Sequence, residues 1–95
     1  MLKTWRQSHL NGIVAMKYVY LLQSYAFPGK RYVGITADLE GRVAVHNAGG
    51  SPHTAPFRPW KIVAAIRFEN DGRAGDFEQY LKSGSGHAFA KRHLW

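Results

Sequence analysis

"RYVGITADLEGRVAVHN", residues 31–47, is the stretch on which the fold turns. "RYVGI" is short, aromatic and β-branched, as strands are, and it puts Tyr32 and Gly34 on one face. From Ala37 to about Ala48 the pattern becomes helical. Thr36 or Asp38 is placed to cap the start, Asp38 and Glu40 lie in the positive first turn, Leu39 and Val43 share a buried stripe, and Gly49-Gly50 ends the helix. Arg42 and His46 stand four apart, on the same side and one turn from each other.

Upstream, "KYVYLLQ" at 17–23 alternates as a strand, with Tyr18, Tyr20 and Leu22 on one face and Val19 and Leu21 on the other. "SYAFPGK" carries a Pro-Gly turn, so the two strands form an antiparallel hairpin with a long loop. Downstream, residues 51–59 hold three prolines and read as loop. "WKIVAAIRF" at 60–68 is nearly apolar and reads as a third, buried strand. A helix is expected from about Arg73 to Ser83, with Ala74, Phe77 and Leu81 facing the core. After the "SGSG" break, Ser85 is placed to cap a last basic helix anchored by Phe89 and Leu94. The expected fold is α+β: a small three-stranded antiparallel sheet flanked by helices.

The chain's 95 residues suffice for one domain, expected over 16–95 with residues 1–15 as an amino-terminal arm. Thirteen Lys and Arg against six Asp and Glu give a net charge of +7, the footprint of a protein that meets a polyanion. Nucleic acid is the leading partner, with an anionic membrane surface behind it. Without cysteine there is no disulfide, thiolate zinc site or cysteine nucleophile. The first sixteen residues lack the continuous apolar core of a signal peptide, so the cytoplasm is the expected compartment.

The carboxylates are Asp38, Glu40, Glu69, Asp71, Asp76 and Glu78, without a D-x-D pair. This set suits a single ion held by one or two carboxylates better than a two-metal centre. The five histidines show no zinc spacing, and Walker, Rossmann and nucleophile-elbow motifs are absent. Arg42 offers a phosphate a two-pronged donor, and His46 can move a proton or hydrogen-bond an oxygen. Each signal also has an ordinary explanation. Arg42 and His46 fit a solvated helix face, tyrosines in a hairpin are commonly half-buried, and Glu78 can simply pair with Lys82 one turn on.

The order of these elements is more specific than any one of them. "YVY" at 18–20, "YVG" at 32–34, Arg42, His46 and the glutamate of "FEQYLKSGSG" together resemble the GIY-YIG nuclease superfamily, and most closely its small single-domain bacterial members. The resemblance runs from Met16 to Trp95. It implies metal-dependent hydrolysis of DNA phosphodiesters, on branched or damaged DNA of the kind met in repair or recombination. It implies Tyr32 as general base, Tyr20 as a hydrogen-bonding, site-shaping residue, Arg42 on the scissile phosphate, His46 at a position held by His or Tyr, and Glu78 as ligand for one Mg²⁺ or Mn²⁺. A phenol is a weak base at neutral pH, so Tyr32 needs a nearby cation such as Arg42, Lys30, Arg31 or the metal. Arg31, Arg58, Lys61, Lys82, Lys91 and Arg92 remain for contacts to the DNA backbone. Three departures stand out: "YVY" replaces "GIY", Ile35 stands where some members carry lysine, and Gly41 weakens the helix by about 1 kcal/mol relative to Ala. The alternatives are a non-catalytic nucleic-acid-binding module of the same fold and a protein-interaction domain. A minimal domain also leaves room for a protein partner that supplies substrate specificity.

Overall fold

The structure is a computed structural model that describes residues 16–95. The arm expected over 1–15 lies outside the described residues. Three strands, β1 (Lys17–Ser24), β2 (Arg31–Thr36) and β3 (Trp60–Phe68), form one antiparallel sheet in the order β2-β1-β3. Helix α1 (Leu39–Asn47) follows β2, a 3₁₀ turn (Ala55–Phe57) interrupts the proline-rich loop, and helices α2 (Asp71–Leu81) and α3 (Gly84–His93) complete the chain. No described helix is long and apolar enough to cross a membrane.

The alternation of β1 divides the interior in two. Val19 and Leu21 face Ala74, Leu81 and Ala90 from α2 and α3, with Phe77 and Phe89 packed alongside. Tyr20 and Leu22 face the other way, against Trp60, with Tyr32, Leu39 and Val43 around them. The central strand is therefore buried on both faces, and Val19, Leu21 and Leu22 are each fully inaccessible. The expectation that β3 is the buried strand is corrected. Among the described residues it pairs only with β1, and Ile62 is 43% exposed. An apolar run reports an affinity for sheet, not a place in the middle of one.

The caps also refine the sequence reading. Of the two candidates for α1 it is Asp38 that caps, its carboxylate accepting from the Gly41 N–H at 3.1 Å. α2 starts two residues earlier than expected because Asn70 accepts from Arg73 N–H at 3.0 Å. Ser85 does not cap α3. Ser83 does, accepting from Gly86 N–H at 3.2 Å, so the turn between α2 and α3 is tighter than "SGSG" indicates. That tight turn presses Gly86 against the Tyr80 carbonyl, where an added Cβ would overlap backbone. Gly86→Ala is expected to destabilise the fold by roughly 1–3 kcal/mol, as overpacking does. A urea titration that gave the wild-type midpoint for this variant would contradict the close approach.

Candidate active site

The face of the sheet covered by α1 gathers four of the residues singled out above. Tyr20 lies across from Gly34 and Tyr32 across from Leu22, so the two tyrosines are diagonal neighbours on one face, with ring centroids 6.1 Å apart. The glycine of "YVG" is a spatial requirement. A Cβ at Gly34 would stand 2.5 Å from the Tyr20 hydroxyl and ring. From α1, His46 brings its ring to 4.8 Å from Tyr32 and 5.8 Å from Tyr20.

Helical spacing does not make Arg42 and His46 equivalent. Arg42 is exposed, whereas His46 is completely buried and has partners on both ring nitrogens. Its Nε2 is 2.8 Å from the Tyr20 hydroxyl and its Nδ1 is 2.8 Å from Thr54 Oγ1. Thr54 is itself 1% exposed, and its hydroxyl donates to the Ser51 carbonyl at 3.4 Å. A hydroxyl has one proton, so Thr54 accepts from His46 Nδ1–H. His46 Nε2 is then bare and accepts from the Tyr20 O–H. The chain from Tyr20 through His46 to Thr54 joins β1, α1 and the loop before β3.

Sequence reasoning did not find Thr54, which sits in a loop with no periodicity to mark it. It also missed Asn47, whose amide oxygen accepts from Trp60 N–H at 2.6 Å and whose nitrogen donates to the Trp60 carbonyl at 3.3 Å, tying the end of α1 to β3.

Electrostatics distinguish the two phenols. Burial, reinforced by neighbouring Tyr32, pushes the Tyr20 pKa up to about 12, and hydrogen bonding and charge from Arg42 offset only part of this. Tyr20 therefore stays a proton donor at neutral pH. Tyr32 is half-buried on an edge strand, within reach of a solute. Burial, and then the charge of Arg42, lower the pKa of His46, so it is the neutral ring that occupies the site.

Glu78 does not join this cluster directly. It lies on α2, against the opposite face of the sheet, and pairs with Lys82 one turn on. Lys82 lines a cavity of about 410 Å³ that runs along the β2 edge and is also bordered by Arg31, Tyr32, His87, Lys91 and Trp95. Tyr32 and Lys82 thus meet the same opening from two sides, and Glu78 is joined to it through its pair with Lys82. Arg31 stacks over Trp95 at 4.9 Å. The other expected DNA contacts are scattered: Arg58 donates to the Ala55 carbonyl at 2.7 Å, Lys61 lies near the hairpin turn, and Arg92 stands beside Ser85 and His93 on α3.

Among the described residues no three His, Asp or Glu side chains cluster into a metal cage. One carboxylate already carrying a cation does suit a hydrated Mg²⁺, which commonly keeps its waters and takes its other ligands from a substrate phosphate.

Residues 16–91 match the GIY-YIG catalytic domain family. The chain belongs to the GIY-YIG family. It is 36% identical over 83 residues to the structure-specific endonuclease subunit SLX1 of Scheffersomyces stipitis, covering 80% of this chain and 24% of that protein. A UPF0213 protein of Lactococcus lactis subsp. cremoris is 40% identical over 52 residues, covering 54% of this chain and 53% of the relative. The chain thus spans about half the length of the Lactococcus relatives it matches. The solution structure of the UPF0213 protein BH0048 from Bacillus halodurans is similar, with a TM-score of 0.50 and 28% identity over 81% of this chain and 83% of that one. The small α+β GIY-YIG architecture expected from the sequence is the one found.

Two outcomes follow from the buried chain of hydrogen bonds. Thr54→Val leaves the buried His46 Nδ1–H without an acceptor and is expected to cost about 1–3 kcal/mol in chemical denaturation, whereas Thr54→Ser retains most of the stability. Below about pH 6.5, the ordinary value for histidine, the unfolded chain takes up a proton that folded His46 resists. Stability should therefore be level above that pH and decline as pH falls, down to the lowered folded pKa. Thermal melts across this range should show a smaller acid loss in His46→Gln than in wild type; equal losses would remove His46 as the cause.

Proposed function

We propose that this chain is a divalent-metal-dependent DNA endonuclease that hydrolyses backbone phosphodiesters. The observation that carries the proposal is the convergence of Tyr20, Tyr32, Arg42 and His46 on one face, next to a cavity lined by Arg31, Lys82 and Lys91. Family membership and the SLX1 relative, a subunit of a structure-specific endonuclease, support both the chemistry and DNA as substrate.

Of the two phenols Tyr32 is the general base, because Tyr20 is sealed from solvent and donates its proton to His46. His46 keeps the Tyr20 hydroxyl turned inward, so the oxygen lone pairs of Tyr20 face its neighbours Tyr32 and Arg42. Arg42, exposed at the rim, holds the scissile phosphate by its two-pronged donor geometry. Glu78 is the residue to hold the ion, which when bound supplies Lewis-acid stabilisation of the charge on the leaving oxygen. Lys82, Lys91 and Arg31 flank the path of the DNA, and contacts of this kind position a backbone without reading bases.

Incubating supercoiled plasmid with the protein and Mg²⁺ or Mn²⁺ tests the proposal. Nicking is expected in wild type, reduced about 10²- to 10⁴-fold by Tyr32→Phe, the range of a lost general base. Glu78→Ala should abolish the response to metal with folding intact. Salt-sensitive DNA binding with no cutting, unchanged by either substitution, would assign the chain instead to the non-catalytic modules.

A further inference from the structure

The turn of the β1–β2 hairpin takes no part in the chemistry assigned above, yet it carries the two most exposed large apolar side chains of the described residues. Tyr25 is 62% exposed and Phe27 51%. Single exposed aromatics need no explanation, but here two share one short loop and each belongs to a pattern. Lys61 Nζ lies 5.5 Å from the centre of the Tyr25 ring. Phe27 meets Phe57 edge to face at 5.7 Å, and Lys30 Nζ stands 4.8 Å from the centre of Phe57. The turn is also fixed. Ser24, 1% exposed, donates to the Phe57 carbonyl at 2.7 Å and accepts from Phe27 N–H at 3.0 Å, while Tyr25 N–H donates to the Pro59 carbonyl at 3.0 Å. The rings are presented by a structured loop, which lowers the entropic cost of using them.

Charge selects the occupant. Neither 17–37 nor 41–68, the segments that build this end of the sheet, contains a carboxylate. A protein partner covering exposed aromatics would be met by an interface centre depleted of lysine. Rings interleaved with lysines instead match the faces and phosphates of unpaired nucleotides, which stack on aromatics while cations follow the backbone. Duplex DNA keeps its base faces stacked inside and can offer the rings nothing.

We propose that Tyr25 and Phe27, flanked by Lys30 and Lys61, form a stacking platform for a single-stranded nucleic acid segment. The platform lies at the turn end of the hairpin that carries Tyr32, in the loop beyond Gln23–Arg31, the pair next to Leu22–Tyr32. Resting on the nuclease reading above, it would give this small domain a preference for DNA with an unpaired strand beside the cut.

Fluorescence anisotropy without divalent metal, using a labelled oligo-dT strand and a labelled duplex of equal length, tests the platform separately from catalysis. Tyr25→Ala and Phe27→Ala should each weaken oligo-dT binding about 5- to 100-fold, the span of base stacking on an aromatic. Duplex binding should change less than about twofold by the same reasoning. Tyr25→Trp should retain the single-strand affinity, which guards against a folding defect in the alanine variants. Unchanged oligo-dT binding, or equal losses on strand and duplex, would overturn the platform. Self-association of wild type that Tyr25→Ala abolishes would overturn it in favour of a protein contact. Plasmid nicking that persists alongside unchanged oligo-dT binding would remove the platform and leave the nuclease. Ring-dependent binding without nicking would do the reverse.

Discussion

The structure depends on one buried histidine having both of its nitrogens answered. His46 is fully enclosed, so any unmatched ring nitrogen would leave a polar group without solvent or partner, and such a loss is of the same order as a large part of a small domain's net stability. Tyr20 and Thr54 supply the two partners, from the central strand and from the loop before β3. Meeting that requirement fixes where α1 lies on the sheet. Gly34 makes it possible, because the Tyr20 ring can reach His46 only across a position with no side chain. The "YVG" glycine, the Tyr20 phenol and the helix histidine are thus one steric and hydrogen-bonding unit, although they are spread over 27 residues of sequence from Tyr20 to His46.

This unit gives two similar side chains different work. Tyr20 and Tyr32 are diagonal neighbours on one face, but Tyr20 belongs to the central strand and Tyr32 to an edge. Burial keeps Tyr20 protonated and committed to His46. Position alone leaves Tyr32 where water and phosphate can approach. The same division applies along α1, where one turn separates an exposed guanidinium from an enclosed imidazole. A positioning residue beneath and a substrate-facing residue at the rim follow from the curvature of a helix seated on a sheet.

Strands and helices were legible in the sequence wherever alternation or helical spacing was strong, as in "KYVYLLQ" and in the Leu39–Val43 stripe, both of which pack as their pattern indicates. What could not be read were choices made by tertiary contact. "WKIVAAIRF" is more apolar than an edge strand requires, so composition made β3 read as a buried strand. Ser83 and Ser85 are equally good caps on paper, and the contact of Gly86 with the Tyr80 carbonyl goes with the earlier one. Thr54 offered no signal at all, because its importance lies in the histidine that folds against it. The candidate site residues were singled out by their order along the chain and the family it resembles. Spacing alone could not have told that His46 faces inward while Arg42 faces out.

Glu78 illustrates how the distribution of charge suits the proposed chemistry. The four aromatic and basic side chains on the α1 face have no carboxylate of their own, and Glu78 lies on the other face, paired with Lys82, which lines the shared opening. The lysine end of this pair is open to solvent, its side chain 57% exposed, while the glutamate end is 15% exposed. In the proposed chemistry a polyanion in the cavity would attract Lys82, leaving the Glu78 carboxylate as the residue to hold a cation. A permanent acidic cage would instead repel the DNA backbone whenever the metal was absent. The described residues that line the opening include Arg31, Lys82 and Lys91 and no Asp or Glu, so its field is positive, as the proposed polyanionic substrate requires.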